Sequence, residues 1–236
     1  RKSYPVIHHD HGTDGFLWSA VGHDHRAAFR QALADLGFIV MATEGMGSVG
    51  RTQDFLRQAT ITGHQCSAVE DSILLLKQLA KERTYIDLNR VGIYGYSQGG
   101  NCASRAIFEF PDDIHVAVSG SGSHDSRFIH PSEIYGHIGG GPEEFPEAYK
   151  KQDNASIAHQ LKGSILFIHG AIDDDVPLVT TYHILNALMQ NNKRYDLAIL
   201  PNNTHDAMYE PYFYKLVFDY FSKNLLRSDL EVFSND

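Results

Sequence analysis

The chain has 236 residues, of which 42% are hydrophobic and 21% charged, a balance typical of one globular domain with a sizeable core. We therefore predict a single domain over 1–236. The net charge is −9, and the 20 basic residues are scattered along the chain. Nucleic acids and anionic membranes bind clustered Lys and Arg, so we expect neither as a partner. No apolar run approaches the roughly 18 residues of a membrane span, and none is predicted.

The start of the chain and its cysteines give two further expectations. The sequence begins Arg1-Lys2-Ser3 without Met or a signal-peptide core, which indicates a processed chain or a part excised from a longer one. Cys66 and Cys102 are too few for a disulfide framework. A single bridge between them is one alternative, and two reduced cysteines in helices is the interpretation that we favour.

Apolar runs of strand length alternate along the chain with longer segments of helical periodicity. The predicted strands are Val6–His9, Phe38–Ala42, Val91–Tyr94, Val116–Ser119, Ser164–Ile168 and Leu197–Leu200. The predicted helices are His25–Leu36, Ser67–Lys81, Gln98–Phe110, Leu178–Gln190 and Tyr212–Leu226. An irregular stretch at about 121–162 is expected to hold short helices and to act as a cap. This alternation predicts an α/β fold with a mostly parallel central sheet and helices on both faces. Active sites in such sheets lie at the carboxyl ends of the strands.

The strongest motif lies between a predicted strand and a predicted helix. Gly95, Ser97 and Gly99 form G-x-S-x-G directly after Val91–Tyr94 and at the start of Gln98–Phe110. This is the context of a nucleophile elbow, in which a sharp turn exposes the serine and leaves no room for side chains two residues away. The pattern predicts the α/β-hydrolase fold with Ser97 as a catalytic nucleophile.

A serine hydroxyl needs a base to take its proton, and in this fold the base is a histidine on the loop after the last strand. His205 follows Leu197–Leu200 through a short polar loop. His169 ends a strand in a His-Gly pair, which is typical of a structural turn, and His183 falls within a predicted helix. We therefore predict His205 as the base.

The carboxylate that orients this histidine should follow an earlier strand. Asp173, Asp174 and Asp175 lie in the loop after Ser164–Ile168. Asp174 and Asp175 are better placed to face solvent or to cap the next helix, so Asp173 is favoured, with Asp174 as the alternative.

Secondary features of the site are predicted from position alone. The N–H of Gln98, at the start of a helix, is a natural oxyanion donor. A second donor is expected from the loop at Gly12 and Thr13. Three aromatic residues are predicted to line a substrate pocket or, alternatively, to belong to the core. They are Phe128, Tyr135 and Tyr209.

Together these residues resemble the catalytic domain of the prolyl oligopeptidase family, especially its dipeptidyl-peptidase and acylaminoacyl-peptidase branches. The resemblance runs through nearly the whole chain, at Tyr4–Gly15, Glu44–Arg51, Arg90–Gly100, Ile165–Val176 and His205-Asp206. It implies that Asp173, the first of the paired acids, carries the triad role. It also implies hydrolysis of short peptides through an acyl-enzyme, without a cofactor or metal.

The sequence departs from the family pattern at three places. His11-Gly12-Thr13-Asp14 replaces the usual His-Gly-Gly-Pro loop, and Gln98 stands where the dipeptidyl-peptidase branch usually has Tyr. No β-propeller precedes the catalytic region, so we expect either a catalytic portion that lacks the N-terminal domain of a longer protein or a compact stand-alone relative. An oligomer is compatible with the sequence.

Two other functions compete with a peptidase. A carboxylesterase acting on small or aromatic esters would use the same triad, and we rank it second. A metal-dependent hydrolase is suggested by His8-His9-Asp10-His11 and His23-Asp24-His25. Adjacent strand residues point to opposite faces, so His8 and His9 cannot share one ion without distortion, and no metal is predicted.

Overall fold

The computed structural model describes residues 2–11, 25–48, 50–55 and 66–226. These residues form a six-stranded sheet in the order β2-β1-β3-β4-β5-β6. Every neighbouring pair of its strands is parallel. The strands are β1 Tyr4–Asp10, β2 Ile39–Met41, β3 Ile86–Tyr96, β4 Val116–Gly120, β5 Ser164–Gly170 and β6 Asp196–Leu200. The predicted α/β class with a parallel sheet is therefore confirmed.

The helices of the described residues cover both faces of this sheet. They are α1 His25–Asp35, α2 Ser67–Glu82, α3 Gln98–Glu109, α4 Pro131–Ile138, α5 Pro146–Gln152, α6 Val179–Gln190 and α7 Pro211–Leu225. Side chains of α1 and α7 pack in one core cluster. Side chains of α2, α3 and α6 pack in the cluster on the opposite face.

The two clusters explain why the strands are apolar at successive positions. In β1, Val6 belongs to one cluster and Ile7 to the other. In β3, Ile93 belongs to the same cluster as Val6, and Tyr94 belongs to the same cluster as Ile7. Successive side chains of a strand point to opposite faces, so a strand covered on both sides needs apolar residues throughout.

The stretch at 121–162 contains α4, α5 and short 3₁₀ turns. Its apolar side chains pack with Val176 in a small cluster that is separate from the two sheet clusters, the other members being Ile129, Ile134, Ile138 and Tyr149. Val176 lies in the loop after β5. The stretch is therefore anchored beside the carboxyl end of that strand.

Cys66 and Cys102 form a disulfide, so the prediction of two reduced cysteines is wrong. Cys66 immediately precedes α2, and Cys102 lies within α3. Both helices pack on the same face of the sheet, which brings the two Cα atoms to 5.2 Å, a separation that a disulfide can bridge. The pairing arises from tertiary packing across a sequence separation of 36, which local periodicity does not report.

The strand order also locates a switch point in the topology. From β1 the chain passes to β2 on one side, and later returns to β3 on the other side of β1. In open α/β sheets, ligands bind at the carboxyl ends of the strands where the order reverses in this way. Here that crevice lies between the ends of β1 and β3.

Among the described residues, no helix combines the length and apolar character required to cross a bilayer.

Candidate active site

Ser97 lies in the tight turn between the last residue of β3 and the first residue of α3. Its backbone has φ 58° and ψ −122°, a positive φ that a side-chain-bearing residue rarely adopts. Such strain persists where the surrounding structure enforces it and is common at functional sites. The turn places the Ser97 hydroxyl at the switch-point end of the sheet.

The glycines of the motif make this turn possible because backbone segments touch there. A Cβ atom at Gly95 would collide with the carbonyl of Gly99, and one at Gly99 would collide with the carbonyl of Asp10. Gly100 packs equally close to the backbone of Gly120. These contacts hold the elbow against β1 and β4, which is the spatial reason for the glycine spacing.

The loop after β6 brings His205 to the serine. The Nε2 atom of His205 lies 2.9 Å from Ser97 Oγ. The carbonyl oxygen of His205 accepts a hydrogen bond from the Tyr96 hydroxyl at 3.0 Å. Burial raises the pKa of Tyr96, so this hydroxyl keeps its proton and can donate. The residue before the serine thus fixes the loop that carries the histidine.

Asp173 lies on the other side of the imidazole. Its Oδ2 atom is 2.8 Å from Nδ1 of His205, and its side chain is fully buried. A carboxylate only accepts hydrogen bonds, so Nδ1 carries the proton in the neutral ring and Nε2 presents its lone pair to the serine. This is the tautomer that a general base requires.

The carboxyl of Asp173 is held in its charged form. Burial raises its pKa, but hydrogen bonds from His169, His205 and the N–H of Val176 outweigh burial and hold the pKa well below the usual range. The Val176 N–H donates to Oδ1 at 2.9 Å. Asp173 is therefore an anion at neutral pH, with its negative charge directed at the imidazole.

His169 is a neighbour of this carboxylate whose contact sequence reasoning missed. Its Nε2 atom lies 2.9 Å from the carbonyl oxygen of Val176 and 3.4 Å from Oδ2 of Asp173. Its Nδ1 atom lies 2.8 Å from the hydroxyl of Thr181. The ring connects the end of β5, the acid loop and α6. His169 lies on β5 and Asp173 in the loop that follows it, so no periodic sequence signal indicates this contact.

A cleft of about 390 Å³ opens over the serine. It is lined by His11, Tyr96, Ser97, Asp174, Asp175, Thr204, His205, Asp206, Met208 and Tyr209. Three of these residues are acidic, and none of these lining residues is Lys or Arg. The cleft is therefore negatively charged at neutral pH, with Tyr209 and Met208 supplying apolar surface.

Of the three aromatic residues predicted for a pocket or the core, one lines the cleft over Ser97 and two do not. Tyr209 lines the cleft and is 63% exposed. Phe128 and Tyr135 are also exposed and do not belong to the lining of this cleft. The centroid of the Phe128 ring instead lies 5.4 Å from the centroid of the His183 ring.

The predicted oxyanion donors are only partly within the described residues. Gln98 is the first residue of α3, so its backbone N–H has no acceptor within the helix and is free to bind a ligand oxygen. Gly12 and Thr13 lie outside the described residues. His11, which precedes them, lines the cleft.

The histidines that suggested a metal point in different directions. His8 lies 3.3 Å from the hydroxyl of Thr43, whereas His9 accepts a hydrogen bond from Arg30 and packs on Phe29. His23 and Asp24 lie outside the described residues.

One other group among the described residues brings possible metal ligands together, namely Asp125, Asp153 and His183. The guanidinium of Arg127 is hydrogen-bonded to both carboxylates of this group. The arginine therefore already supplies the positive charge that a metal would bring.

Comparison with known proteins assigns this chain to a family. The model of the prolyl oligopeptidase family matches residues 25–228. The chain is 29% identical over 176 residues to dipeptidyl peptidase 8 of Mus musculus, covering 73% of this chain and 20% of that protein. It is 29% identical over 222 residues to probable dipeptidyl-aminopeptidase B of Ajellomyces capsulatus, covering 88% of this chain and 22% of the relative. The chain thus spans about a fifth of the length of these curated relatives.

Solved structures show the same relationship in three dimensions. A Bacteroides ovatus protein assigned as a dipeptidyl aminopeptidase IV superposes with a TM-score of 0.84 at 25% identity, covering 95% of this chain and 32% of that chain. Dipeptidyl peptidase 4 of Porphyromonas gingivalis has the same fold, with a TM-score of 0.83 at 24% identity and the same coverage. The family match extends from α1 to beyond α7 and includes the serine elbow, the acid loop and the histidine loop. This chain belongs to the prolyl oligopeptidase family.

Proposed function

We propose that this protein is a serine peptidase that cleaves short peptides through an acyl-enzyme on Ser97. The observation that carries the proposal is the continuous line of hydrogen bonds from the Ser97 hydroxyl through His205 to Asp173, with distances of 2.9 and 2.8 Å. These distances are within the reach that a nucleophile and its general base require.

In the first half of the cycle, the Ser97 oxygen attacks the carbonyl carbon of the scissile bond. His205 Nε2 accepts the hydroxyl proton as the bond forms, and buried Asp173 stabilises the resulting imidazolium. The N–H of Gln98 is placed to donate to the oxyanion, at the positive end of α3. His205 then gives its proton to the leaving amine, and the acyl group remains on Ser97.

In the second half, a water molecule takes the place of the amine. His205 accepts a proton from this water while the water oxygen attacks the acyl carbon. The second tetrahedral intermediate collapses when the Ser97 oxygen leaves and regains the proton from His205. The products are the peptide acid and the free enzyme, so atoms and charge balance with no cofactor involved.

Peptides are favoured over esters because the relatives reported above are named as dipeptidyl peptidases and a dipeptidyl-aminopeptidase. A cleft of about 390 Å³ has room for a few residues of an extended peptide. The esterase alternative uses the same chemistry, but no observation on this chain favours it.

The direct test is covalent labelling of the purified protein with a fluorophosphonate, followed by mass spectrometry of its peptides. We expect one modified residue, Ser97, and no labelling of Ser97→Ala. Ser132→Ala, which removes an exposed hydroxyl on α4, is the matched control and should label normally. Labelling of wild type at another residue, or undiminished labelling of Ser97→Ala, would refute the proposed nucleophile.

Substrate class is tested with peptide and ester substrates that share one acyl group. A peptidase should hydrolyse both, and Ser97→Ala should lower kcat roughly 10³- to 10⁶-fold on each. Hydrolysis of the ester with no detectable cleavage of any di- or tripeptide amide would replace the peptidase proposal with the esterase.

A further inference from the structure

We propose that the Cys66–Cys102 disulfide positions Gln98 for catalysis, so that the hydrolytic rate depends on the oxidation state of these two cysteines. This inference rests on the proposed function, because it concerns the oxyanion side of the same serine. It assigns Cys66 and Cys102 as positioning residues, which act through Gln98 and do not touch the substrate.

The disulfide lies beside the elbow and joins it to a second helix. Cys102 is four residues after Gln98 on α3, so the two side chains lie on the same face of that helix. Cys66 ends the segment that leads into α2. The bond therefore attaches the start of α2 to the first turns of the helix that begins beside Ser97.

Gln98 is held at both ends of its side-chain amide. Its Nε2 atom lies 3.9 Å from the sulfur of Cys66 and 3.8 Å from that of Cys102. Its Oε1 atom accepts a hydrogen bond from the hydroxyl of Ser123 at 3.2 Å. Each contact to sulfur is individually weak, but the amide bridges the disulfide and the segment after β4.

The same disulfide contacts a second residue of the elbow helix. Asn101 Nδ2 lies 3.9 Å from the sulfur of Cys66, and the backbone N–H of Asn101 donates to the carbonyl of Ser97 at 3.1 Å. The first turn of α3 therefore has two side chains against the bridge. The Gln98 N–H that is placed for the oxyanion belongs to this turn.

Reduction would change this arrangement in a defined way. A thiolate of a small dithiol attacks one sulfur, the protein S–S bond breaks, and the second thiol of the reagent then displaces the protein sulfur. Cys66 and Cys102 gain two electrons and two protons, and the dithiol becomes its cyclic disulfide. Two thiols cannot remain at bonding distance, so the two sulfur atoms move apart and the contacts of Gln98 Nε2 with them change.

The expected consequence is a loss of rate with little loss of binding. Removal of an oxyanion donor costs about 10²- to 10³-fold in kcat, and a displaced donor should cost less. We therefore expect reduction to lower the maximal rate about 10- to 100-fold, while the half-saturating concentration changes less than about threefold. Since both cysteines are buried, reduction should be slow, and activity should fall with the time course of thiol appearance.

The experiment is a double-mutant cycle read by the kinetics of fluorophosphonate labelling at Ser97. It compares wild type, the pair Cys66→Ala with Cys102→Ala, Gln98→Met, and the triple variant. Gln98→Met keeps the length of the side chain and removes the amide. Wild type is also measured after dithiothreitol treatment and after reoxidation, with free thiols counted and folding checked by circular dichroism.

If the disulfide acts through Gln98, losing the disulfide and losing the amide should each slow maximal labelling. The triple variant should then be no more than about twofold slower than Gln98→Met, and reoxidation should restore the wild-type rate. A purely structural bridge would lower the melting temperature without this coupling. If the alanine pair does not fold, reduced and reoxidised wild type and Gln98→Met provide the same cycle.

Three results would overturn the inference. The first is an unchanged labelling rate in fully reduced protein. The second is a triple variant whose labelling rate falls by the product of the factors for losing the disulfide and losing the Gln98 amide. The third is loss of the folded circular dichroism signal on reduction. In the first two cases Ser97 is still labelled, so the proposed function survives. Failure of the function itself would show as an absence of Ser97 labelling in the oxidised wild type.

Discussion

We predict that His124 makes the protein sensitive to acid, and the expected size of the effect follows from its surroundings. The side chain lies after β4, fully buried, with Nδ1 3.0 Å from the hydroxyl of Ser104 and its ring against Phe167. Burial, together with the nearby His169 and His183, lowers its pKa to about 3. In the unfolded chain the pKa returns to about 6.5.

Because the folded pKa is below the unfolded pKa, the unfolded state binds the proton first as the pH falls. His124 therefore destabilises the fold progressively between about pH 6.5 and pH 3, and has almost no effect above this window. The linkage relation gives a loss of about 2 kcal/mol at pH 5 and about 3 kcal/mol at pH 4, relative to pH 7. This is a large part of the free energy of unfolding of an ordinary domain.

The measurement is urea unfolding of wild type and His124→Asn at pH 7, 6, 5 and 4. Asparagine retains an N–H donor for Ser104 and does not titrate. Burial also lowers the pKa values of His8 and His9, but both variants contain these residues and their effect cancels in the comparison. We expect wild type to lose about 1.4 kcal/mol more than the variant per pH unit below about pH 6. Parallel curves for the two proteins would refute the reasoning.

The remaining predictions concern the site. Asp173→Asn should leave the fold intact and lower kcat by about 10⁴-fold, because the amide favours the wrong tautomer of the histidine; a loss below tenfold in steady-state assays would contradict this. Gly99→Ala should abolish fluorophosphonate labelling and lower the melting temperature, since the new methyl group collides with the carbonyl of Asp10. Asp174→Asn combined with Asp175→Asn should reduce the preference for a lysine-containing peptide over its neutral analogue about threefold at low salt, and 0.5 M salt should remove the difference. A preference that is independent of salt would argue against charge recognition in the cleft.

The fold could be predicted because its inner strands, β1, β3, β4 and β5, contain segments that are buried on both faces. Continuous apolar runs such as Ser164–Ile168, alternating with helical segments, are typical of strands in a parallel sheet that is covered by helices on both faces. The meeting of Ser97, Asp173 and His205 could be predicted equally well, because each residue lies in the turn or loop after a strand and the carboxyl ends of parallel strands meet at one edge. The length of β3 was underestimated most, since Ile86 and its polar neighbours extend this strand beyond the buried part that the apolar pattern predicts.

Other features depend on contacts that local sequence does not encode. The disulfide requires the packing of α2 against α3, and the position of Phe128 depends on how the stretch at 121–162 folds on α6. The hydrogen bonds of His169 depend on the turn at Val176, where the chain bends back on the strand end. These contacts join segments whose separation in sequence carries no periodic signal.

The topology explains why the proposed nucleophile follows β3 rather than another strand. β3 lies between β1 and β4, so the turn after β3 is surrounded by backbone on both sides, by Asp10 from β1 and by Gly120 from β4. An edge strand would leave one side of the turn open, and nothing would enforce the strained backbone of Ser97. The chain also diverges at this point, since it leaves β1 towards β2 and returns beyond β1, which opens a crevice above the turn. A strained serine and an open crevice therefore coincide at this position of the sheet, and the loops after β5 and β6 reach back across the end of β4 to bring Asp173 and His205 to it.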